Sequence, residues 1–179
     1  MLSFRILLAA GSLASCLVGS LQADVVIEGA VKFSPAKTPA AAAARYQQKA
    51  GTVAPPSPPV AVVYLEGAFP AKSSGSSAAA EMVQKDYQFM PGTLAVQKGS
   101  KIVFPNQDDD YHHVFSYSKT KEFDVGRYRK GETTPSVTFD KAGIVRVGCE
   151  IHEHMRACIL VLDTPHFTTT DPGGRYGSN

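Results

Sequence analysis

One short segment of the chain concentrates side chains that bind soft metal ions. Residues 149–155 read Cys-Glu-Ile-His-Glu-His-Met, and Cys149, His152 and Met155 form the pattern C-x-x-H-x-x-M. A thiolate, an imidazole and a thioether so close together form a soft donor set, which suits copper better than magnesium or calcium. A lone Cys or Met is more often a core residue than a ligand, so the spacing is what favours a metal site.

A trigonal blue-copper centre needs a second imidazole beside the thiolate, with the thioether as a weak axial ligand. His112 and His113 are the candidates for this imidazole. Neighbouring residues of a strand point to opposite faces, so only one of the two can face the metal, and the spacing favours His112. His154 is a weaker alternative to His152 and is expected at the rim of the site. The predicted site holds one copper ion, cycling between Cu(I) and Cu(II), on His112, Cys149, His152 and Met155.

The elements that must position these residues are short strands separated by turn residues, which is typical of an all-β sandwich or barrel. No sustained helical period follows Met82. The predicted strands are 25–33, 60–65, 87–89, 93–97, 101–104, 113–117, 136–139, 143–148 and 157–162. The apolar run Val60–Leu65 is expected to be buried on both faces.

The first 23 residues are typical of an export signal, with Arg5 ahead of an apolar run and a small residue, Ala23, at a plausible cleavage site. The apolar run is too short to favour a permanent transmembrane anchor. A second possibility is lipidation, because residues 13–16, ending in Cys16, resemble a lipobox. Either route predicts a periplasmic protein. Only Cys149 and Cys158 remain after residue 23, and the metal-binding pattern around Cys149 argues against a structural disulfide.

Composition and net charge limit the classes of protein to which the chain can belong. A hydrophobic content of 44% is ordinary for a globular domain, and a formal net charge of +2 gives no sign of a nucleic-acid partner. The predicted organisation is a signal peptide over 1–23, one domain over 24–165, and a C-terminal tail over 166–179. Within the domain, an Ala- and Pro-rich stretch (34–59) and a Ser-rich stretch (70–80) are predicted to be flexible insertions.

These motifs resemble the cupredoxin family, which includes plastocyanin and amicyanin. Residues 89–106 follow the pattern F-x-P-x-x-L-x-V-x-x-G-x-x-I-x-F-x-N that leads to the first copper His in that family. The stretches VVYLEGAF, C-x-I-H-x-x-M and TPHFTTTDPGG are similar to those of secreted proteobacterial plastocyanin-like or methylamine-utilisation proteins. The resemblance implies a Greek-key β-sandwich, and it maps His112, Cys149 and His152 to equatorial copper ligands and Met155 to the axial ligand.

One departure from the family pattern concerns the residue after the first His. The family usually has Asn there, and this chain has His113. The resemblance implies that the backbone N–H of this residue still reaches the Cys149 sulfur. As a hypothesis, the His113 side chain hydrogen-bonds Glu150 and so replaces the Asn in holding the Cys loop.

The leading prediction of function is single-electron transfer, without enzymatic activity, by a monomer that serves redox partners. These partners are a cytochrome c or a periplasmic dehydrogenase or oxidase. The alternative is periplasmic copper delivery or storage, for which the same ligands would serve. A third interpretation, an enzyme with Cys149 as nucleophile and a nearby His as base, leaves Met155 without a role. The acidic residues 108–110 are either a solvated loop or, with Glu150 and Glu153, a rim that steers a basic partner.

Overall fold

The computed structural model describes residues 26–34, 58–69 and 79–177. The described residues form strands and no helix. The fourteen strands are β1 (Glu28–Ala30), β2 (Val62–Tyr64), β3 (Ala80–Glu81), β4 (Val83–Lys85), β5 (Gln88–Met90), β6 (Thr93–Gln97), β7 (Lys101–Val103), β8 (His112–Ser118), β9 (Lys121–Tyr128), β10 (Ser136–Thr138), β11 (Gly143–Gly148), β12 (Arg156–Leu162), β13 (Phe167–Thr169) and β14 (Arg175–Gly177).

The largest sheet has five strands in the order β6-β12-β11-β8-β9. Its neighbours are antiparallel, apart from the parallel pair β6 and β12. After β9 at the edge, the chain passes through β10 in another sheet and returns as β11 on the far side of β8. This crossover is a Greek-key type of connection. It places the end of β11 beside the start of β8.

A second sheet, in the order β10-β7-β3, contributes side chains to the same core as the first. The packing is visible in the aromatic rings. Phe123 of the five-stranded sheet lies 5.8 Å from Phe104 and 6.0 Å from Phe139, measured between ring centroids. Along β11 and β12 every second residue is buried, because successive side chains of a strand point to opposite faces. The structure is therefore an all-β sandwich, which confirms the predicted fold class.

The two ends of the described chain pair with each other. β1 pairs antiparallel with β14, and β2 pairs antiparallel with β13. Residues 167–177, which the sequence analysis placed in a tail, thus contribute two strands. Their short Thr- and Gly-containing segments lack the apolar alternation by which a strand is recognised in a sequence. The domain boundary at residue 165 remains a prediction.

Two further strand predictions need correction. β9 was missed, because Gly126 and several charged residues interrupt its alternation. The run Val60–Leu65 is not buried on both faces, since Val62 and Val63 are half-buried and Tyr64 is exposed in a sheet of only two strands. The predicted signal peptide, which includes Cys16, and most of the two predicted insertions lie outside the described residues.

The burial of the core residues predicts how substitutions change the free energy of unfolding. Ile159 on β12 is fully buried, whereas Ile144 on the neighbouring β11 is 56% exposed. Replacing Ile159 with Ala removes buried methyl groups and leaves a cavity, so the free energy of unfolding should fall by about 2–5 kcal/mol. Ile144→Ala is the matched control and should change it by less than about 0.5 kcal/mol. Denaturant titration measures both, and equal losses would contradict this assignment of inner and outer faces.

Candidate metal centre

The predicted ligands lie at one end of three adjacent strands of the five-stranded sheet, with His112 in β8 and the other three in the connection between β11 and β12. His112 is the first residue of β8, and Cys149 directly follows the last residue of β11. Because β8 and β11 are antiparallel neighbours, these two positions meet at the same end of the sheet. His152 lies in the turn that joins β11 to β12, and Met155 is the last residue before β12.

The ligand atoms of His112, Cys149 and His152 face one another. The His112 Nδ1 lies 3.1 Å from the His152 Nδ1, and the Cys149 Sγ lies 4.0 Å and 3.7 Å from these two nitrogens. All three atoms fall within 4.8 Å of one another. The three separations define an acute triangle, and a point inside it lies about 2.1 Å from each corner. That radius matches the ~2.0–2.3 Å bonds that first-row metals form with imidazole and thiolate, so the donor set fits a metal ion.

Met155 is held close to this triangle by the backbone of its own loop. Its carbonyl accepts a hydrogen bond from the Cys149 N–H at 3.3 Å, and its N–H donates to the His152 carbonyl at 2.9 Å. Its side chain is 1% exposed, so the thioether points into the protein. Its role as axial ligand remains a prediction.

Asp108 supports His112 from the side opposite the triangle. The His112 Nε2 donates to the Asp108 Oδ2 at 2.7 Å, which leaves the Nδ1 facing Cys149 and His152. The same carboxylate accepts the backbone N–H groups of Asp86 at 2.8 Å and Tyr87 at 3.1 Å. A carboxylate on the far nitrogen of a ligating imidazole fixes the ring orientation and the tautomer. The sequence analysis grouped Asp108 with its acidic neighbours and missed this role.

The loop that carries Asp108 is ordered by Asn106. Its amide nitrogen donates to the carbonyls of Asp110 at 2.9 Å and Tyr128 at 3.0 Å, and its Oδ1 accepts the Asp108 N–H at 2.9 Å. Asn106 is buried, so these bonds are shielded from water. The segment from Asn106 to His112 is therefore fixed by side-chain bonds to the backbone as well as by the start of β8.

Tyr87 covers both imidazoles. Its ring packs edge-on against His112 at 5.8 Å and against His152 at 5.1 Å between centroids. The turn at Asp86 and Tyr87 has positive φ at both residues, and Asp108 accepts both of their N–H groups. The His154 Nε2 donates to the Tyr87 carbonyl at 3.1 Å, so His154 lies at the edge of the site and supports this turn. Sequence reasoning had no signal for Tyr87, because the turn brings it to the site from a distant segment.

His113 takes a different partner from the one hypothesised. Its Nε2 bonds the Asp124 carboxylate, whereas its Nδ1 lies 3.2 Å from the Glu150 Oε2 without hydrogen-bond geometry. The hypothesis of a hydrogen bond to Glu150 is therefore wrong. Asp124, on the neighbouring β9, offers the better-aligned acceptor. The implied backbone contact is present, since the His113 N–H donates to the Cys149 Sγ at 3.5 Å.

The acidic residues around the site do not form a free negative rim. Asp109 is paired with Lys130 at 3.2 Å, and Glu150 is paired with Arg127 at 3.0 Å. Asp108 is turned inward and 11% exposed, so its charge serves His112. The alternative of an acidic steering surface therefore lacks three of its five predicted charges.

Electrostatics favour a thiolate at Cys149. Burial raises the pKa of this thiol, but the contacts from His112 and from the His113 and His152 backbones outweigh burial and lower the pKa. Burial also lowers the pKa of His112, but the contacts with Cys149 and Asp108 outweigh it and raise the pKa. Burial and the neighbouring His112 lower the pKa of His152, which favours the neutral imidazole. A thiolate and neutral imidazoles are the forms that bind metal, so the lowered pKa values of Cys149 and His152 favour binding, whereas the raised pKa of His112 opposes it.

The remaining candidates lie away from the triangle. Cys158 is a half-buried free thiol on β12, and Cys149 is also free, so the two form no disulfide. His166 is exposed, as expected, and packs against Phe69 at 4.7 Å between centroids. Within the described ranges, no helix is long and apolar enough to cross a bilayer.

Comparison with known proteins gives neighbours among solved structures only, since no family model and no curated protein matches the chain. One neighbour is the copper-containing nitrite reductase of Thermus scotoductus, at 22% identity and a TM-score of 0.45, with 48% of this chain covering 23% of that one. Another is a purple cupredoxin from Nitrosopumilus maritimus, at 17% identity and a TM-score of 0.42, with coverage of 46% and 99%. A third is the reduced Cu(I) form of an amicyanin mutant, at 19% identity and a TM-score of 0.44, with coverage of 56% and 98%.

The chain spans about a quarter of the nitrite reductase and nearly all of the two small proteins. All three likenesses are distant. The fold and the site therefore rest on the strands and side chains of this chain.

Proposed function

We propose that this protein binds one copper ion on His112, Cys149, His152 and Met155 and carries single electrons between partner proteins in the periplasm. The observation that carries the proposal is the triangle formed by two imidazole nitrogens and one thiolate, in which every corner lies about 2.1 Å from a common point. Two His and one Cys in a trigonal arrangement, with a weak axial thioether, is the donor set of blue-copper electron-transfer sites.

Copper bound here would supply a one-electron couple between Cu(I) and Cu(II). The chain's own residues hold the ligands in place and exclude water. His112, Cys149 and Met155 are at most 2% exposed. Asp108 and the Tyr87 ring fix the two imidazoles, and the His113 N–H stabilises the thiolate. Ligands that are fixed in this way need little rearrangement when the charge of the ion changes.

The burial of the ligands also bears on the alternative of copper delivery. A delivery site must pass its metal to another protein, so its ligands should be accessible to an incoming thiol or imidazole. Here only the His152 ring reaches a partly exposed position, and Tyr87 packs against it. The arrangement supports retention of the metal, and therefore electron transfer rather than delivery.

Addition of Cu(II) to the purified chain starting at Asp24 tests the proposal. We expect one equivalent to bind with an intense blue absorption from thiolate-to-copper charge transfer, bleached by ascorbate and restored by reoxidation. His112→Ala should abolish the blue absorption, whereas His166→Ala, a matched exposed His, should leave it unchanged. Colourless binding of Cu(I) alone would favour delivery, and failure to bind copper would overturn the proposed site.

A further inference from the structure

A second functional surface lies on the outer face of the five-stranded sheet, away from the core. The residues that alternate with the buried positions of β8, β11 and β12 form a groove on this face. We call it the Tyr117 face, and it consists of Phe115, Tyr117, Ile144, Arg146, Gly148 and Arg156. Tyr117 is 77% exposed and Ile144 is 56% exposed, which is unusual for such large apolar side chains on neighbouring strands.

The aromatic side chains of this face form a row that begins at the metal site. His113 lies 5.5 Å from Phe115, and Phe115 lies 5.0 Å from Tyr117, between ring centroids. The row starts beside the thiolate, because the His113 N–H donates to the Cys149 Sγ. A Cβ added to Gly148 would lie 3.3 Å from the Phe115 ring, so this ring packs on the residue that directly precedes Cys149. The His113 backbone thus contacts the buried sulfur, and the row of rings leads from the His113 side chain to the surface.

Two arginines give the Tyr117 face a positive charge. Arg146 and Arg156 are both exposed, and neither has an ion-pair partner in the part of the chain that the structure describes. The position of Arg156 is set by its Nε, which donates to the Glu153 carbonyl at 2.9 Å. Glu122, opposite Tyr117 on the edge strand β9, is the nearest acidic neighbour in the sheet register, and Asp124 is already bonded to His113. The groove thus combines aromatic side chains with two arginines that form no ion pair among the described residues.

We propose that the Tyr117 face docks a one-electron redox protein whose own docking surface carries carboxylates around an apolar centre. An apolar centre with charges at its border is the common anatomy of a transient interface, and opposite charges speed the encounter. The inference rests on the proposed function, since it assigns the partner chemistry of that site. One electron leaves this protein, which is oxidised, and the partner's redox centre gains it, without bond formation or proton transfer.

The docking surface is testable without copper. The redox-inert paramagnetic anion hexacyanochromate(III) should broaden the backbone amide resonances of residues 115–118, 144–148 and 156–158 in the ¹⁵N-labelled chain more than those of β1 and β14. In the double variant R146E/R156E the broadening should fall about tenfold, as expected when two attractive charges become repulsive. R175E, which reverses an exposed arginine on β14, is the control and should leave it unchanged. Broadening that is uniform, or that is centred on another surface, overturns the proposal.

A second experiment links docking to electron transfer. Oxidation of the Cu(I)-loaded chain by an acidic c-type cytochrome should slow about tenfold in R146E/R156E, and the rate should fall with increasing salt. Tyr117→Leu should slow this oxidation while leaving the anion-induced broadening intact, because it removes a ring and no charge. Unchanged rates in both variants would overturn the docking proposal. If the chain binds no copper, the proposed function fails, whereas the broadening experiment still decides the docking surface.

Discussion

Replacing Cys149 with Ser should abolish the blue absorption completely and remove most of the copper affinity. The thiolate is the soft donor of the triangle, and its pKa is lowered by the contacts that surround it. A hydroxyl group stays protonated at neutral pH and is a hard donor that copper disfavours at such a site. The affinity should fall by more than the ~10–100-fold that follows removal of a residue that only supports a ligand. Competition with a copper chelator measures the affinity, and visible absorption measures the colour.

Cys158→Ser is the matched control for this variant. Cys158 is the other free thiol of the described chain, and it lies half-buried on β12. We expect its replacement to leave colour, stoichiometry and affinity unchanged. If both variants stay blue, or if both lose their colour, the thiolate of the copper site is not Cys149.

Replacing Asp108 with Asn should weaken copper binding about 10–100-fold, the range found when the hydrogen-bond partner of a ligating imidazole is lost. The Asp108 carboxylate accepts from the His112 Nε2 at 2.7 Å and from two backbone N–H groups of the Tyr87 turn. Neutralising it also removes a negative charge that favours Cu(II) over Cu(I), so the reduction potential should rise. Chelator competition and a redox titration measure the two effects, and the electron paramagnetic resonance spectrum should change as the His112 ring reorients.

Asp109→Asn distinguishes the effect of losing the Asp108–His112 hydrogen bond from the effect of losing a negative charge. Asp109 is the next residue, its side chain is 94% exposed, and its ion-pair partner is Lys130 rather than a ligand. It undergoes the same change of charge at almost the same place in the sequence. We expect a small change in potential and none in affinity or spectrum. Equal effects of the two substitutions would show that Asp108 acts only through its charge and does not position His112.

The grouping of His112, Cys149 and His152 could be predicted from the sequence, because the chemistry lies in the residue types, and their role as copper ligands remains a prediction. The pattern C-x-x-H-x-x-M contains three of the predicted donors within one short loop. Strand alternation places the side chains of His112 and His113 on opposite faces, so only one of them can face the site. The structure brings His112, Cys149 and His152 together, as predicted. Seven of the nine predicted strands agree with the observed bounds to within one residue at both ends, and two of them, Thr93–Gln97 and Gly143–Gly148, agree at both ends without any difference. These strands have strong alternation or lie between clear turn residues.

The residues that hold the ligands in place could not be predicted from the sequence, because their contacts form between side chains that meet only after folding. Asp108 stands in a run of three aspartates that is typical of a solvated loop, and the bond from its N–H to Asn106 turns it inward. Tyr87 precedes His112 by a long stretch and arrives through a turn with positive φ. For His113, two carboxylates were within reach, and the register of β8 against β9 decides in favour of Asp124. Such contacts depend on how one strand is aligned with its neighbour, and this register cannot be read from a single sequence.

The pairing of β1 with β14 and of β2 with β13 has a consequence for how the molecule forms. These contacts join residues that are far apart in the sequence, so closing the long intervening loop adds to the entropic cost of forming them. β1 and β2 must wait for β14 and β13 to be synthesised before they find these partners. Until then their open edges remain exposed, which favours handling of the chain in an unfolded form.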